Sequence, residues 1–454
     1  MLFRKIGLEI ENHLRSTSDK ILVVEGARQV GKSYIIREIG RRLFPNFVEL
    51  NFVKDDETQQ LFKEIRSIED FYLRLSMIAN SQLGNRDNTL VFFDEIQHYP
   101  QFLTLLKFLR EDGRFRYIAS GSMLGIALRK TTSIPIGSIL IKRMFQLDFE
   151  EFLIANGMGT EAIDHMKGCY YDKQSLPKDM HNLVMDHFRK YLLVGGMPDA
   201  VNEYLSSHNI VNVRAVHADI HRMYKDDASK YEQSGSRKLL VQRIYDMIPS
   251  QMENKKKRIV ASAIRGQKGD RFSWYAEEFE YLISSGISLS VNAISNPVYP
   301  LCESVHKNLL KLYLNDVGIL TWQLYDIDLM PVLNDQLSIN LGAVYESAVA
   351  QELKAHGHNL FYYDNNRRGE VDYLIDDKME ASVLPVEVKS GKDYMSHRSL
   401  SRLVDVPDYG IKSAIVLHND RDVKSDGKIT YMPIYNVMFI GSSRRLDNKE
   451  KIIF

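Results

Sequence analysis

The chain has 454 residues, which is enough for about three domains of ordinary size and excludes a single small module. Hydrophobic residues make up 44% of it and charged residues 26%, so extensive disorder is excluded as well. Lysine plus arginine and aspartate plus glutamate both number 59, and the net charge of zero excludes a protein that binds nucleic acid through a basic charge spread over its whole surface.

Cysteine content and hydropathy indicate the compartment. Cys169 and Cys302 are the two cysteines, and they are too far apart in the sequence for a clustered zinc motif or a disulfide framework. Charged residues interrupt the N-terminal segment MLFRKIGLEIENHL, which lacks the continuous apolar core of a secretory signal. Apolar runs stay shorter than the roughly eighteen residues of a membrane-spanning helix. The sequence predicts a cytoplasmic protein without a membrane segment.

A phosphate-binding loop is predicted after the first apolar run. The stretch KILVVEGARQVGKS contains GxxxxGKS, and YIIREIGRRLF follows with apolar residues at helical spacing, so the order is strand, loop, helix. Backbone N–H groups at the start of the helix bind phosphate, Lys32 reaches the β- and γ-phosphates, and the Ser33 hydroxyl binds Mg²⁺. ATP and Mg²⁺ are therefore the predicted cofactors. The predicted cofactor-binding residues of the loop are Gly26, Ala27, Arg28, Gln29, Val30, Gly31, Lys32, Ser33 and Tyr34.

Two further strands supply polar side chains to the same sheet edge. The run from Thr89 to Phe93 ends in Asp94 and Glu95. Asp94 is predicted to hold Mg²⁺ through water, and Glu95 to be the catalytic residue that orients or deprotonates the attacking water. Capping of the next helix is the alternative role for both acids.

The strand RFRYIASGS ends in small polar residues beside these acids. Ser120 and Ser122 are candidates for sensing the γ-phosphate, and Ser122 joins the predicted cofactor-binding set. An ordinary polar strand end is the alternative reading of both serines.

These segments resemble the AAA-type ATPases of bacteria and archaea that carry an uncharacterised C-terminal domain. The resemblance rests on GARQVGKS, VFFDEIQ, IASGS and LDFEEFL, and further along the chain on VGGMPDAV, YKDDASKY and KLYLNDVGIL. It implies a P-loop ATPase domain over residues 1–155. The family often has Gly-Arg before LDFEEFL, whereas this chain has Gly137-Ser138, so the arginine finger is unplaced. Arg129, Lys142 and Arg143 are the nearby candidates, with surface charge as the alternative.

The middle of the chain is predicted to be helical. Residues 156–235 form a lid, punctuated by Gly195, Gly196 and Pro198. Three helical patterns and two β-prone runs, ISLSV and VYPLCES, predict a winged helix over residues 236–305. This segment is basic and is predicted to bind either DNA phosphates or a protein partner. Its basic residues are Lys255, Lys256, Lys257, Arg258, Arg265, Lys268 and Arg271.

Residues 306–454 are predicted to form a restriction-endonuclease-like α/β domain. A helix with Glu346, three strands, a helix and a strand follow in that order. Asp372 in GEVD and Glu387 in VEVK lie on neighbouring strands, and Lys389 shares a face with Glu387.

This constellation resembles the PD-(D/E)xK nuclease superfamily, and GEVD matches the GxxD form of its RecB-like branch, although that branch's QxxxY element is absent. Glu346, Asp372 and Glu387 are the predicted Mg²⁺ ligands and Lys389 the catalytic residue. A solvated Glu–Lys pair is the alternative.

The predicted fold class is therefore multidomain α/β, with a doubly wound P-loop sheet, a helical lid, a winged helix and a nuclease-like domain. The predicted function is ATP hydrolysis coupled to DNA binding or cleavage by the C-terminal domain. The alternative is a nucleotide-gated regulator or scaffold whose inactive nuclease-like domain binds a protein partner. A homo-oligomer is compatible with both.

Overall fold

The computed structural model describes residues 2–51, 60–65, 67–79, 83–123, 137–231, 235–254, 257–325, 329–333, 341–391 and 393–441. They divide into two compact units. The first contains Met1–Gln146 and Glu280–Ile287, and the second contains Leu147–Phe279 and Ser288–Phe454.

The first unit is built on a parallel sheet of five strands in the order β2-β3-β4-β1-β5. The inner strands are almost fully buried, as expected for a parallel sheet covered by helices on both faces. The strands are β1 Ile21–Glu25, β2 Asn46–Asn51, β3 Thr89–Asp94, β4 Arg116–Gly121 and β5 Ile139–Arg143. The helices are α1 Lys5–Arg15, α2 Lys32–Leu43, α3 Ile68–Ile78 and α4 Pro100–Asp112. The three strands predicted around the nucleotide site are confirmed.

Aromatic side chains fill one core of the first unit. Phe71, Phe93 and Phe102 are completely buried, and their ring centroids lie 5.7 to 6.2 Å apart. Rings at these separations pack in edge-to-face and tilted arrangements, which add to the free energy of burial. This packing fixes the strand that ends in Asp94.

The second unit begins with helices and continues into a mixed sheet. The helices are α5 Phe149–Ala155, α6 Thr160–Tyr171, α7 Lys178–Val194, α8 Pro198–Ser207, α9 Ile210–Tyr231, α10 Gly235–Glu253, α11 Ala261–Arg265, α12 Ala276–Ser284, α13 Val317–Leu324, α14 Met330–Leu333, α15 Leu341–Ala355 and α16 Arg398–Val404. The last five residues of α12, residues 280–284, belong to the first unit.

The mixed sheet has eight strands in the order β12-β13-β11-β10-β9-β8-β6-β7. Strands β8, β9 and β10 are antiparallel, whereas β10, β11 and β13 are parallel. The order helix, three strands, helix, strand predicted for the C-terminal region is found here. The strands are β6 Ser288–Ile294, β7 Val305–Leu314, β8 Phe361–Asn365, β9 Gly369–Asp377, β10 Ser382–Lys389, β11 Ala414–His418, β12 Lys424–Asp426 and β13 Ile429–Pro433.

The predicted winged helix is not confirmed. Its first β-prone run is β6, but VYPLCES forms a 3-10 turn at Leu301–Ser304, and the partner strand is β7 further along. Strand β6 also pairs in parallel with β8, so the hairpin belongs to the large sheet rather than to a separate wing. The predicted boundary at 305/306 therefore falls inside one sheet.

The other predicted boundaries also differ from the two units. The first unit ends at Gln146 rather than at residue 155, and the predicted lid lies in the same unit as the C-terminal sheet. Buried hydrogen bonds explain this arrangement. The Glu352 carboxylate of α15 accepts from the Phe149 amide at 2.8 Å and from the Tyr191 hydroxyl at 3.0 Å, and the Gln351 side chain accepts from the Val317 amide at 2.9 Å.

Two motifs that the sequence singled out meet in the second unit. Gly195 has φ 69° and ψ −163°, a conformation that is essentially restricted to glycine. Its Hα faces Asp316, which caps α13 and accepts from the Gly196 amide at 2.7 Å and the Ile319 amide at 3.1 Å. Burial raises the pKa of the Asp316 carboxyl to about 6 against the effect of these amides. VGGMPDAV and KLYLNDVGIL are therefore structural partners.

Candidate functional site

The phosphate-binding loop follows β1 and ends at the first turn of α2. Gly31 has φ 94° and Gln29 has φ 66°, so the loop turns through the left-handed region twice. A Cβ on Gly26 would lie 2.2 Å from the carbonyl oxygen of Met144, which excludes any larger residue there. The loop conformation therefore depends on residues of the GxxxxGKS motif itself.

Lys32 lies inside this loop and is 5% exposed. Its ammonium donates to the carbonyl oxygens of Gly26 at 3.0 Å and Ala27 at 2.8 Å. Burial lowers the pKa of Lys32, while the carboxylates of Glu95 and Asp94 oppose that shift. Arg4, which lies outside the motif, stabilises the loop by donating a hydrogen bond to the Val30 carbonyl at 3.0 Å.

Asp94, at the carboxyl end of β3, is the centre of a polar network. One carboxylate oxygen accepts from the hydroxyls of Ser33 at 2.6 Å and Ser120 at 2.5 Å. The other accepts from Asn51 Nδ2 at 3.0 Å and Arg37 Nη2 at 3.2 Å. Asp94 is 2% exposed, and the pairing of a buried carboxylate with so many donors fixes its orientation. Ser120 is thus a direct partner of Asp94.

Glu95 follows Asp94 with φ 54°, in the left-handed region. Its carboxylate accepts from Gln97 Nε2 at 2.5 Å. The same Gln97 amide group donates to the Ser122 hydroxyl at 3.2 Å and accepts from the Ser122 amide at 3.2 Å. Gln97 therefore positions Glu95 and Ser122 relative to each other across two strand ends.

These side chains surround a cavity of about 330 Å³, lined by Arg28, Gln29, Gly31, Lys32, Ser33, Tyr34, Arg37, Asn51, Asp94 and Glu95. Most of the predicted cofactor-binding residues are thus brought together. Ala27 and Val30 are buried and contribute backbone groups beneath the loop. Ser122 is connected to the site by its two hydrogen bonds with Gln97.

Arg37, Asn51 and Gln97 were missed from the sequence. Arg37 on α2 also pairs with Glu49, with nitrogen to oxygen distances of 2.6 and 2.8 Å. The only available signal was the proximity of each residue to a strand end or to the loop.

ATP and Mg²⁺ fit the donors at this site. The loop presents backbone N–H groups at the N-terminus of α2, where the helix dipole favours phosphate. A hydroxyl and a carboxylate oxygen, those of Ser33 and Asp94, lie 2.6 Å apart, and oxygen ligands are what Mg²⁺ prefers. The buried Lys32 ammonium supplies the positive charge.

Of the arginine-finger candidates, Lys142 and Arg143 can be placed, and neither lines this cavity. Arg129 lies outside the described residues. Lys142 is 44% exposed and pairs with Glu9 at 2.6 Å, and the Arg143 guanidinium lies 6.0 Å from the Phe145 ring centroid. Surface charge is the reading that these contacts favour for Lys142 and Arg143.

A second polar cluster lies on β9 and β10. Asp372 accepts from the Val388 amide at 2.8 Å, and the Asp372 amide donates to Glu387 at 3.4 Å. Lys389 pairs with Glu387 at 2.8 Å. Burial and the neighbouring charge of Asp372 raise the pKa of Glu387 to about 8, and the two carboxylates raise the pKa of Lys389 although burial opposes it. Asp372, Glu387 and Lys389 therefore lie close together on β9 and β10.

Glu346 behaves differently. It forms an ion pair with Lys257 and lies 3.4 Å from the Tyr313 hydroxyl, and burial and the charge of Asp372 raise its pKa. Within the described ranges, no group of three or more His, Cys, Asp or Glu side chains is arranged to hold a metal ion. Glu346 pairs with Lys257, Glu387 pairs with Lys389, and Asp372 accepts from the Val388 amide, so the predicted Mg²⁺ binding by these three carboxylates is not confirmed.

The described basic residues of the predicted winged helix have different surroundings. Lys255 and Lys256 lie outside the described residues. Lys257 and Arg258 pair with carboxylates, Arg258 with Asp364 at 2.6 Å. Arg265, Lys268 and Arg271 are exposed on and after the short helix α11.

Comparison with protein families divides the chain into three parts. Residues 18–153 match an AAA domain, residues 185–328 match a domain of unknown function (DUF8612), and residues 341–437 match another (DUF4143). No curated protein matches the chain. None of the helices in the described ranges has the length and apolar character needed to cross a membrane.

The Walker-type ATPase PABY2304 of Pyrococcus abyssi is one of the solved structures with weak similarity. Its sequence is 14% identical, and the match covers 71% of this chain and 96% of that chain, with a TM-score of 0.42. The Aeropyrum pernix Orc1 protein in complex with DNA has 12% identity, coverage of 73% and 91%, and a TM-score of 0.28. TM-scores this low carry no inference for this chain. The AAA match and the site geometry together identify the N-terminal domain as an AAA-type P-loop domain.

Proposed function

We propose that the protein binds ATP with Mg²⁺ and hydrolyses it at the cavity beside the phosphate-binding loop. The observation that carries this proposal is the convergence of Lys32, Ser33, Asp94 and Glu95 on one cavity. Residues from the loop and from two strand ends meet there, which is the arrangement that phosphoryl transfer to water requires.

The residues divide the work between binding and catalysis. The Lys32 ammonium exchanges the carbonyls of Gly26 and Ala27 for phosphate oxygens, and the loop amides bind the remaining phosphate charge. Ser33 and Asp94 would hold Mg²⁺, and the bound ion would neutralise charge that develops on the phosphates. Glu95, held by Gln97, orients the attacking water and accepts its proton.

The Glu95→Gln variant tests this assignment. We expect kcat for ATP hydrolysis to fall by about 10²- to 10⁴-fold, because the amide cannot accept a proton, while the Kd for ATP stays close to wild type. Phosphate release and nucleotide binding are measured in Mg²⁺ and again in EDTA. Glu111→Gln, an exposed glutamate on α4, is the matched control and should keep wild-type turnover. Full turnover by Glu95→Gln would contradict the role of Glu95.

A second candidate function is coupling of this hydrolysis to DNA binding or cleavage by the C-terminal sheet. The cluster of Asp372, Glu387 and Lys389 on adjacent strands favours it. The ion pair between Lys257 and Glu346 favours the alternative, a nucleotide-gated regulator in which the cluster is inactive.

Cleavage assays separate the two readings. If the cluster cuts DNA, Lys389→Ala should lower the cleavage rate at least about 10²-fold while ATP turnover is unchanged. Single-stranded, duplex and branched DNA are incubated with Mg²⁺ or Mn²⁺, with and without ATP, and Lys412→Ala on the same unit is the control. Intact DNA in every reaction, together with normal ATP turnover that DNA does not stimulate, would favour the regulator.

A further inference from the structure

The turn between β8 and β9 borders a basic cavity of about 670 Å³ that none of the assignments above uses. Arg258, Arg367 and Arg368 line it together with Ser295, Asn366 and one carboxylate, Asp364. With Asn365, three guanidinium groups, two amides and a hydroxyl thus line the cavity beside a single acid. Planar guanidinium forks match the geometry of phosphate oxygens better than any other side chain.

Arg258 is fixed in this cavity before any ligand enters. Its guanidinium is 15% exposed and lies 2.6 Å from Asp364 and 3.7 Å from Glu370. The guanidinium also lies 5.6 Å from the ring centroid of Tyr362, within the range of a cation–π interaction. Lys311, fully buried, binds Glu370 at 2.5 Å. Asp364 and Glu370 therefore balance the charges of Arg258 and Lys311, and the excess positive charge of the cavity comes from Arg367 and Arg368.

The turn itself is also preorganised. The Asn365 side-chain oxygen accepts from the backbone amides of Arg367 at 3.0 Å and Arg368 at 3.2 Å. The Arg368 guanidinium donates to the Tyr409 hydroxyl at 3.2 Å. The backbone of the turn and the Arg368 side chain are thus ordered before binding, which lowers the conformational entropy that binding would cost.

The cavity is connected to the acidic cluster through β9. Glu370 and Asp372 are two residues apart on this strand and therefore share one face of the sheet. We propose that the cavity binds a phosphate group of a DNA strand and so sets the path of that strand along β9 toward Asp372, Glu387 and Lys389. This inference rests on the second candidate function and names its DNA contact.

Binding of fluorescently labelled single-stranded and duplex DNA to the full chain tests it. The variants are Arg367→Glu, at an exposed position, and the double variant Arg367→Ala, Arg368→Ala. We expect at least about tenfold weaker binding and a salt slope that falls by about one to two, since each phosphate contact contributes about 0.7 to 0.9. Arg222→Ala, a 71% exposed arginine in the same unit, is the charge-matched control and should bind like wild type.

Every outcome of these binding experiments either supports or contradicts phosphate binding by the cavity. Unchanged affinity and salt slope in both variants, or no DNA binding by wild type, would overturn the proposal. The proposal would also be overturned if an equal concentration of inorganic pyrophosphate displaced DNA from the Lys32→Ala protein, because the cavity would then bind free phosphate. If DNA binds through these arginines but wild type does not cut it, the phosphate-binding role of the cavity is supported and only the cleavage activity is refuted. ATP turnover is measured in a separate assay.

Discussion

Replacing Lys32 with alanine is expected to lower kcat/KM for ATP hydrolysis by about 10²- to 10³-fold or more. The ammonium is the one lysine charge lining the cavity in the described part of the chain, and burial in a dry loop strengthens its interaction with phosphate oxygens. Steady-state phosphate release and equilibrium binding of a fluorescent ATP analogue measure the loss. Both KM and kcat should change, because the phosphates are contacted in the ground state and in the transition state.

A matched control separates this effect from damage to the fold. Lys107→Ala removes an exposed lysine from α4 in the same unit and should leave ATP turnover unchanged. Because Lys32 donates to two loop carbonyls, thermal unfolding of the Lys32→Ala protein is followed by circular dichroism. Wild-type turnover in a folded Lys32→Ala protein would refute the assignment of the phosphate-binding loop.

Replacing Gly195 with alanine is expected to destabilise the second unit by about 3 to 5 kcal/mol. An added Cβ would lie 2.1 Å from Asp316 Oδ1, and φ 69° with ψ −163° is itself unfavourable for alanine. Relief of the clash would break the cap that Asp316 provides for α13. Urea unfolding followed by the fluorescence of Trp322, which lies in this helix, measures the change.

Gly168 provides the opposite expectation in the same unit. It lies within α6, and an added Cβ meets nothing within 4 Å. Gly168→Ala should therefore raise stability by about 0.5 to 1 kcal/mol, because alanine restricts the unfolded chain and glycine does not. Equal unfolding midpoints for Gly195→Ala and Gly168→Ala would contradict the packing described for Gly195.

The nucleotide site was largely predictable because its determinants are local. Gly26, Gly31, Lys32 and Ser33 lie within eight consecutive residues, and a loop between a strand and a helix leaves few arrangements for them. Asp94 could be added because carboxyl ends of parallel strands share one edge. Asn51 could not, because its place beside Asp94 depends on the pairing of β2 with β3, which no local pattern reveals.

In the C-terminal cluster, contacts within one strand could be predicted from the sequence, whereas contacts between distant segments could not. The spacing of Glu387 and Lys389 predicted that both lie on one face of a strand, and they form an ion pair there. The partner of Glu346 is Lys257, 89 positions away, and no local pattern predicted this ion pair. Strand β6 was likewise assigned to a winged helix, because hydropathy predicts that a strand exists but not which strand it joins.

The pairing of β6 with β8 also determines where the chain can be cut. A fragment that begins at residue 341 would retain β8 to β13 but lose β6 and β7, leaving the N–H and C=O groups of β8 open along one side. Phe361, Tyr362 and Tyr363 on that strand are buried in the full chain. An open strand edge with uncovered aromatic rings promotes self-association, so the C-terminal region should stay soluble as a fragment only when residues 288–314 accompany it.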